Sequence, residues 1–524
     1  MERQAKLGRG YQGRRRGRLC HVGRGPMGVR DATGRDADQR RRAGFGTKRR
    51  GHCGFRSAAQ RDGSIHAMTA QFPFDGHDIF ALAEKLFPIH RSITGHGVRQ
   101  THDVLRDVIP ELESKEIPSG SQCFDWTIPD EWNVEEAYIA DMTGRRVIDF
   151  ADNNLHLMSY SVPVDATLDR EELMAHLYSL PDLPDAIPFI TSYFNRRWAF
   201  CVTERQKQGL TDTRYRVVVR SSIEPGGMTY GEILVPGRST QEILIHTYTC
   251  HPQMANNETS GMAVTAYLAR AILDMPERRY SYRIVYVPET IGAVAYISRN
   301  LDSLRKSVIA GFVMTCVGDD RGWSFLPARQ GNTLPERAAR HVLDRILRVP
   351  YASFSYLDRG SDERQYCAPG INLPVVSIMR SKYGTYPEYH TSLDDLSVIS
   401  PDGLWGGFSA TFQAIQIIEK NETLAATVLC EPWLSPRGLR APLKDGKFID
   451  DFSEKVSHLL AYSDGTMDLL AIADLTGKPF FDLALVAETL KAQDLLKPAE
   501  PAPADGRTAP TGVPDAVGTN PRSA

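Results

Sequence analysis

The middle of this chain predicts an α/β fold, with a mostly parallel sheet sandwiched by helices. Three observations carry that expectation. From about residue 231 to 420, short apolar runs alternate with longer amphipathic ones. The first run, Ile243-Leu244-Ile245, is apolar at successive positions, as in a strand covered on both faces. Polar, chemistry-bearing loops follow the ends of these runs, where α/β sheets place their sites.

In chain order, the expected strands are Glu242–His246, Tyr282–Val287, Gly311–Val317 and Pro374–Met379, and the expected helices are Met262–Leu273, Leu334–Leu347 and Leu404–Glu419. The stretch from Glu242 to Asp274 organises the rest. The strand breaks at His251-Pro252, the polar residues Asn256, Asn257 and Glu258 follow, and Ser260-Gly261 opens a helix with Val264, Leu268 and Ile272 on one face.

The flanking segments differ in texture. Residues 1–67 hold 18 Lys and Arg against five acids and few aliphatics, so they are expected to be a disordered basic extension from an upstream start, with natural translation beginning at Met68. Residues 75–120 add two amphipathic helices to the α/β domain, which resumes at 231 and runs to 425. Between them, residues 121–230 carry short alternating runs separated by Pro, Gly, Asn and Asp, and predict an inserted β-rich domain. The insertion leaves and re-enters the α/β domain just before the Glu242 strand, so it is expected to lie over the mouth of the cleft. Its Tyr193, Phe194 and Trp198 either line that cleft or fill the insertion's own small core, the second being favoured. Residues 441–497 fit a winged-helix unit, with helices Ser453–Tyr462, Met467–Leu475 and Phe480–Leu496; residues 498–524 are a Pro/Ala-rich, disordered tail. Asp482, Glu488 and Asp494 outweigh Lys491 on the last of those helices, so docking or dimerisation is expected and DNA binding is not. No apolar run reaches about 18 residues, so no membrane span is expected. The eight cysteines form no Cys-x-x-Cys pair, which suits a reducing cytoplasm.

Three loops could meet at one site: His251 to Glu258, Pro288-Glu289-Thr-Ile-Gly292, and Gly360-Ser-Asp-Glu-Arg364 with Tyr386 to Asp394. Two imidazoles with carboxylates nearby are the donors zinc takes while keeping a position for water, and a neighbouring Glu can move that water's proton.

The order of these motifs resembles the zinc aminopeptidase family whose relatives include leucyl aminopeptidases and glutaminyl cyclases. The matching residues are His251, then Asn256-Asn257-Glu258-Thr259-Ser260-Gly261, Glu289-Thr290-Ile291-Gly292, Ser361-Asp362-Glu363 and His390-Thr391-Ser392-Leu393-Asp394. Phrases such as Leu86-Phe-Pro-Ile-His-Arg-Ser-Ile-Thr-Gly95 and Gly318-Asp-Asp-Arg321 are similar to bacterial aminopeptidase-like proteins with an inserted β-rich domain and a C-terminal winged helix. Members of that group are associated with surface polysaccharide gene sets.

The resemblance implies a zinc exopeptidase-like fold and a zinc-dependent hydrolase in which metal-activated water attacks an amide bond. Glu289 would be the general base. His251, His390 and Asn257 would hold one zinc, Asp394 would support them, and Glu258, Asp362 and Glu388 would face the amine of a small peptide or aminoacyl substrate. A homo-oligomer is compatible with it. Four departures oppose a second metal: Asn257 replaces the bridging Asp, Thr290 the second Glu, Thr315 a further ligand Asp, and Glu363 the His of Ser-Asp-His. Two alternatives stay open. One is a degenerate scaffold acting as a binding or regulatory protein. The other is amide or acyl chemistry on a sugar-linked substrate in surface polysaccharide metabolism.

Overall fold

A computed structural model describes residues 72–439 and 451–499, with two short strands between them at Leu443–Lys444 and Lys447–Phe448. The expected basic extension 1–67 and nearly all of the tail 498–524 lie outside the described residues.

The elements that position the site are, in order, helices α1 (Gly76–Leu86) and α2 (His96–Leu105), then strand β1 (Glu113–Pro118). The insertion follows with β2 (Glu131–Ala140), β3 (Arg146–Asp149), β4 (Val164–Asp169) and β5 (Arg214–Glu224). The main sheet resumes with β6 (Gly227–Val235), β7 (Glu242–Tyr248), α3 (Ser260–Leu273), β8 (Ser281–Val287), α4 (Ile291–Ser307) and β9 (Val308–Val313). It ends with β10 (Ser324–Leu326), α5 (Leu334–His341), β11 (Ala352–Ser353), β12 (Val375–Met379) and α6 (Pro401–Lys420).

Eight strands form the main sheet in the order β1-β6-β8-β7-β9-β12-β10-β11. Its centre, β8-β7-β9-β12, is parallel, whereas β1/β6, β6/β8 and β10/β12 are antiparallel. Edge strands β10 and β11 are also parallel, so the sheet is mostly parallel, as expected, with its antiparallel pairs toward the two edges. Helices α1, α3, α5 and α6 pack on one another, and α4 packs on β8 and β9, so the parallel strands are covered. Burial of β7 explains its unbroken apolar run, since Ile243, Leu244 and Ile245 are all fully buried.

The insertion folds as a four-stranded antiparallel sheet, β3-β2-β5-β4, with its own core around Trp132, Ile139, Phe200 and Val217. Phe194 and Trp198 join that core, Trp198 stacking on His176, while Tyr193 is 76% exposed. None of the three lines the cleft by contact with His251 or His390; Phe189 does.

The C-terminal unit begins earlier than 441. Strand β13 (Thr423–Ala426) pairs with β14 (Asp464–Asp468) and β15 (Leu496–Pro498) in the order β14-β13-β15. Helices α7 (Asp451–Tyr462), α8 (Leu469–Thr476) and α9 (Phe480–Ala492) complete it. The expected helix to Leu496 stops at Ala492 because Asp494 has φ +54 and the chain turns into β15. This unit shares one continuous core with the α/β domain. Arg337 on α5 pairs with both oxygens of Asp468, and His341 bridges the Asp474 carboxylate (2.6 Å) and the Phe480 amide (2.9 Å). Among the described residues no helix is long and apolar enough to cross a membrane.

Candidate active site

Strand β7 ends at Tyr248, and the chain carries His251 into a loop beyond its carboxyl end. A wide helical turn, Ala255–Thr259, then leads into α3. Asp394 holds that turn from the far end of the sequence: its carboxylate accepts the amides of Asn256 (2.7 Å) and Asn257 (3.0 Å), and its carbonyl accepts that of Ala255 (2.7 Å). Burial pushes the Asp394 carboxyl up to about 6 against these hydrogen bonds. Gly261 allows the helix to start here, since a Cβ would sit 2.4 Å from the carbonyl of Met314.

His251 is fixed by Glu258. The carboxylate accepts the His251 amide at 2.8 Å and its Nδ1–H at 2.5 Å, while the buried Arg91 guanidinium lies 3.5 Å away. Nε2 faces Glu289 Oε2 across 3.7 Å, and against the cost of burial the Cys250 and Glu258 side chains raise the His251 pKa well above its ordinary value, so Nε2 carries a proton toward that carboxylate. The His390 ring lies 5.3 Å from that of His251, stacked on Tyr389 at 3.9 Å, with Phe189 packed against both imidazoles. Neither nitrogen of His390 has a hydrogen-bond partner among the described residues. Burial, helped by nearby His251, lowers its pKa to about 3, so it stands as the neutral imidazole.

Glu289 follows β8, and burial raises its pKa to about 7. Its neighbour Thr290 has φ +65, costly for a β-branched residue, and two groups hold it there. Its amide donates to Asp362 Oδ1 (2.8 Å), and its hydroxyl accepts from Arg364 Nη2 (2.5 Å). Asp362 is itself anchored by His246 Nε2 (2.8 Å), whose Nδ1 accepts from the Tyr366 hydroxyl (3.0 Å). Gln253, Cys316 and His390 also have positive φ, so backbone strain gathers around these loops.

The structure brings His251, Glu258, Glu289 and His390 together. Asn257 joins them through Tyr248, whose ring packs on His251 and whose hydroxyl accepts from Asn257 Nδ2 at 2.9 Å. Two residues placed in sequence as facing a substrate amine are instead wholly buried and committed: Glu258 to His251 and Arg91, Asp362 to His246 and Thr290. Glu388 is also engaged, by both terminal nitrogens of Arg321. Sequence reasoning missed Phe189, His246 and Arg364. Arg364 was visible beside Ser361-Asp362-Glu363; the other two carried no local signal.

The donor set suits a single cation. Asn257 Oδ1 is buried without a partner, His390 is unbonded among the described residues, and His251 Nε2 points at the Glu289 carboxylate. A metal ion bound between them would displace the Nε2 proton and keep the attraction to the carboxylate. The Glu258–His251 bond is the outer-shell support that metal-binding histidines commonly have. Cys250, His251 and Glu258 also cluster within 4.8 Å, but that trio is not a free ligand set. The carboxylate is already bound, and burial pushes the Cys250 thiol up to about 12. The Tyr248 hydroxyl and Thr315 Oγ1 lie 2.5 Å apart, and Thr315 donates to the Asn257 carbonyl at 2.7 Å, so neutral hydroxyls, not carboxylates, stand beside Asn257.

Fold and site define a peptidase-like α/β scaffold carrying a β-rich insertion and a winged helix. Residues 80–421 match the family described as Domain of unknown function (DUF4910), and residues 422–498 match the winged helix-turn-helix family. The chain belongs to the DUF4910 family. It is 42% identical over 425 residues, covering 80% of this chain and 96% of the relative, to a Clostridium acetobutylicum protein named for polysaccharide biosynthesis and an aminopeptidase-like domain. A crystal structure of a protein from the same species, described as a candidate peptidase, aligns with a TM-score of 0.77 at 40% identity, covering 83% of this chain and 99% of that one. A zinc aminopeptidase from Bacillus subtilis aligns with a TM-score of 0.49 at 14% identity, covering 66% of this chain and 96% of that one.

Proposed function

We propose that this chain is a single-zinc, aminopeptidase-like hydrolase that cleaves an amide bond with Glu289 as general base. One observation carries the reading: His251 Nε2 and the Glu289 carboxylate face each other at 3.7 Å, beside the unbonded imidazole of His390. His251, His390 and Asn257 would hold the ion. Zinc bound there supplies a Lewis acid and a water that ionises near neutral pH. Glu289, raised to about 7, can accept a proton at neutral pH and return it to a leaving amine. Glu258 accepts from Nδ1 and so leaves Nε2 as the nitrogen that would bind the ion once its proton is lost, and Phe189 and Tyr389 pack against the imidazoles.

The substrate class is a small peptide, an aminoacyl compound or a sugar-linked amide. The last is favoured by the relative's name, which refers to polysaccharide biosynthesis. All six cysteines among the described residues are free, which supports a reducing, cytoplasmic setting.

A second reading, a binding or regulatory protein on a peptidase scaffold, is supported by the Tyr248–Thr315–Asn257 network, which engages the amide nitrogen and carbonyl of the proposed ligand Asn257 with neutral hydroxyls. Metal analysis of the purified chain, with hydrolysis measured on a panel of aminoacyl and N-acyl sugar amides, separates the two. One zinc per chain, and hydrolysis lost in Glu289→Gln with metal retained, is the expected result. Absence of zinc after dialysis against micromolar metal, with no amide cleaved, favours the second reading.

A further inference from the structure

We propose that the pocket beside Glu289 recognises an anionic group, a carboxylate on the substrate, through Arg364, and that it does not capture a free ammonium. This rests on the reading of Glu289 and the two histidines as the reactive centre.

The argument begins with the acids. An ammonium needs a carboxylate with a free lone pair at the cleft surface. Glu258 spends its oxygens on the amide and ring of His251 and on Arg91. Asp362 spends one oxygen on His246 and the other on Thr290. Asp394 holds the Asn256 and Asn257 amides and the Tyr386 hydroxyl. Glu388 is clamped by Arg321 at 2.7 and 2.9 Å. That leaves Glu289, which the chemistry needs.

The cations are distributed differently. Arg91 is wholly buried behind His251, and Arg321 is neutralised by Glu388. Arg364 is 38% exposed, with one nitrogen 4.0 Å from Glu289 Oε1. Among the described residues its guanidinium has one hydrogen bond, from Nη2 to the Thr290 hydroxyl, and its Nε is buried without a partner. The exposed part of the guanidinium, which excludes the buried Nε, therefore has unused N–H donors beside the Glu289 carboxylate. A planar five-donor fork suits a carboxylate held by two hydrogen bonds. Since Thr290 fixes one end of that fork, little side-chain freedom remains to be lost on binding.

Calorimetric titration of the full chain tests this with paired probes: N-acetyl-L-aspartate against N-acetyl-L-asparagine amide, and L-leucinamide as the cation. The anion is expected to bind at least ~10-fold more tightly than its neutral partner. Arg364→Met should erase that ratio, and Arg364→Lys should keep part of it. Thermal melting of each variant reports whether Thr290 and its loop still fold, and Arg364→Gln serves if the Met variant does not. Tighter binding of leucinamide, an anion-to-neutral ratio unchanged in Arg364→Met, or no binding of the anion at 10 mM overturns the proposal. Failure of the hydrolase reading looks different: the anion binds through Arg364, yet no amide is cleaved by the chain or lost in Glu289→Gln.

Discussion

The peptide N–H of Phe189 donates to the carbonyl oxygen of His390 at 2.9 Å, so a residue of the insertion is stitched to a residue of the candidate site. One turn on, the Ser392 amide returns to Ile187 and the Ser392 hydroxyl receives the Ile187 amide. The insertion thus forms a wall of the pocket by backbone pairing, and Phe189 is the side chain it contributes. Phe189→Ala removes the ring but leaves those hydrogen bonds. It should cost about 2 kcal/mol of stability and weaken zinc binding; urea midpoints and chelator competition read the two effects separately.

Glu258→Gln keeps the volume of the side chain but removes the charge that accepts the His251 Nδ1–H. Zinc affinity should fall roughly 10–100-fold, with Glu289 untouched. An unchanged affinity, measured against a fluorescent chelator, would place the ion away from His251.

Asn257→Asp restores a carboxylate where Oδ1 now lacks a partner. The Tyr248 hydroxyl can reverse its hydrogen bond to donate to it. Zinc should bind roughly 10-fold more tightly, since a charged oxygen ligand replaces a neutral one. Thr315→Asp should instead destabilise the fold, because the Asn257 carbonyl and Tyr248 hydroxyl leave no room for a buried charge.

His102 supplies a pH dependence remote from the site. It is wholly buried, bonded at Nδ1 to the Ser114 hydroxyl, with Nε2 unpartnered, and burial lowers its pKa to about 3. The unfolded chain, titrating near 6.5, therefore binds more protons between about pH 6.5 and 3. Stability is lost as pH falls through that window and is level above it, by about 2 kcal/mol at pH 5 from this group. Urea midpoints against pH should show this slope, and His102→Gln should flatten it.

The winged helix should unfold with the α/β domain. His341→Ala leaves the Phe480 amide and Asp474 without their buried partner and should cost about 2 kcal/mol. Limited proteolysis should then cut first within residues 451–499. Early cutting in the α/β domain instead would show that His341 does not hold the interface.

The candidate site residues could be picked out because each sits at a grammatical point of the chain. His251 ends a buried strand, Glu289 follows one, and His390 lies in a turn closed by Asp394. Their supports were not legible. Glu258 pairs with Arg91, His246 with Asp362, and His390 meets Phe189, each across well over a hundred residues, a distance at which local pattern carries no information. For the same reason Glu258 and Asp362 read as free acids, although folding engages both. Backbone irregularity was equally hidden. The expected strand to Val317 stops at Val313, and Cys316 beyond it takes φ +53. The helical reading of Leu334–Leu347 gives way after His341 to a wider turn. The mixed edges of the sheet escaped notice because pairing direction leaves no trace in composition.

Strand β1 pairs with β6 from Glu113↔Glu232 to Pro118↔Gly227, and β2 pairs with β5 out to Glu131↔Glu224. The insertion is thus hung from two neighbouring antiparallel strands. Before it folds, joining β1 to β6 means closing a loop of roughly a hundred residues, an entropic cost that grows with the logarithm of the length. Once the four-stranded sheet has formed, Glu131 and Glu224 are already side by side and the remaining gap is about a dozen residues on one strand and two on the other. Collapse of the insertion therefore prepares the outer edge of the main sheet. A mutation that slows the insertion's own folding should delay assembly of that edge even where it leaves the finished molecule unchanged.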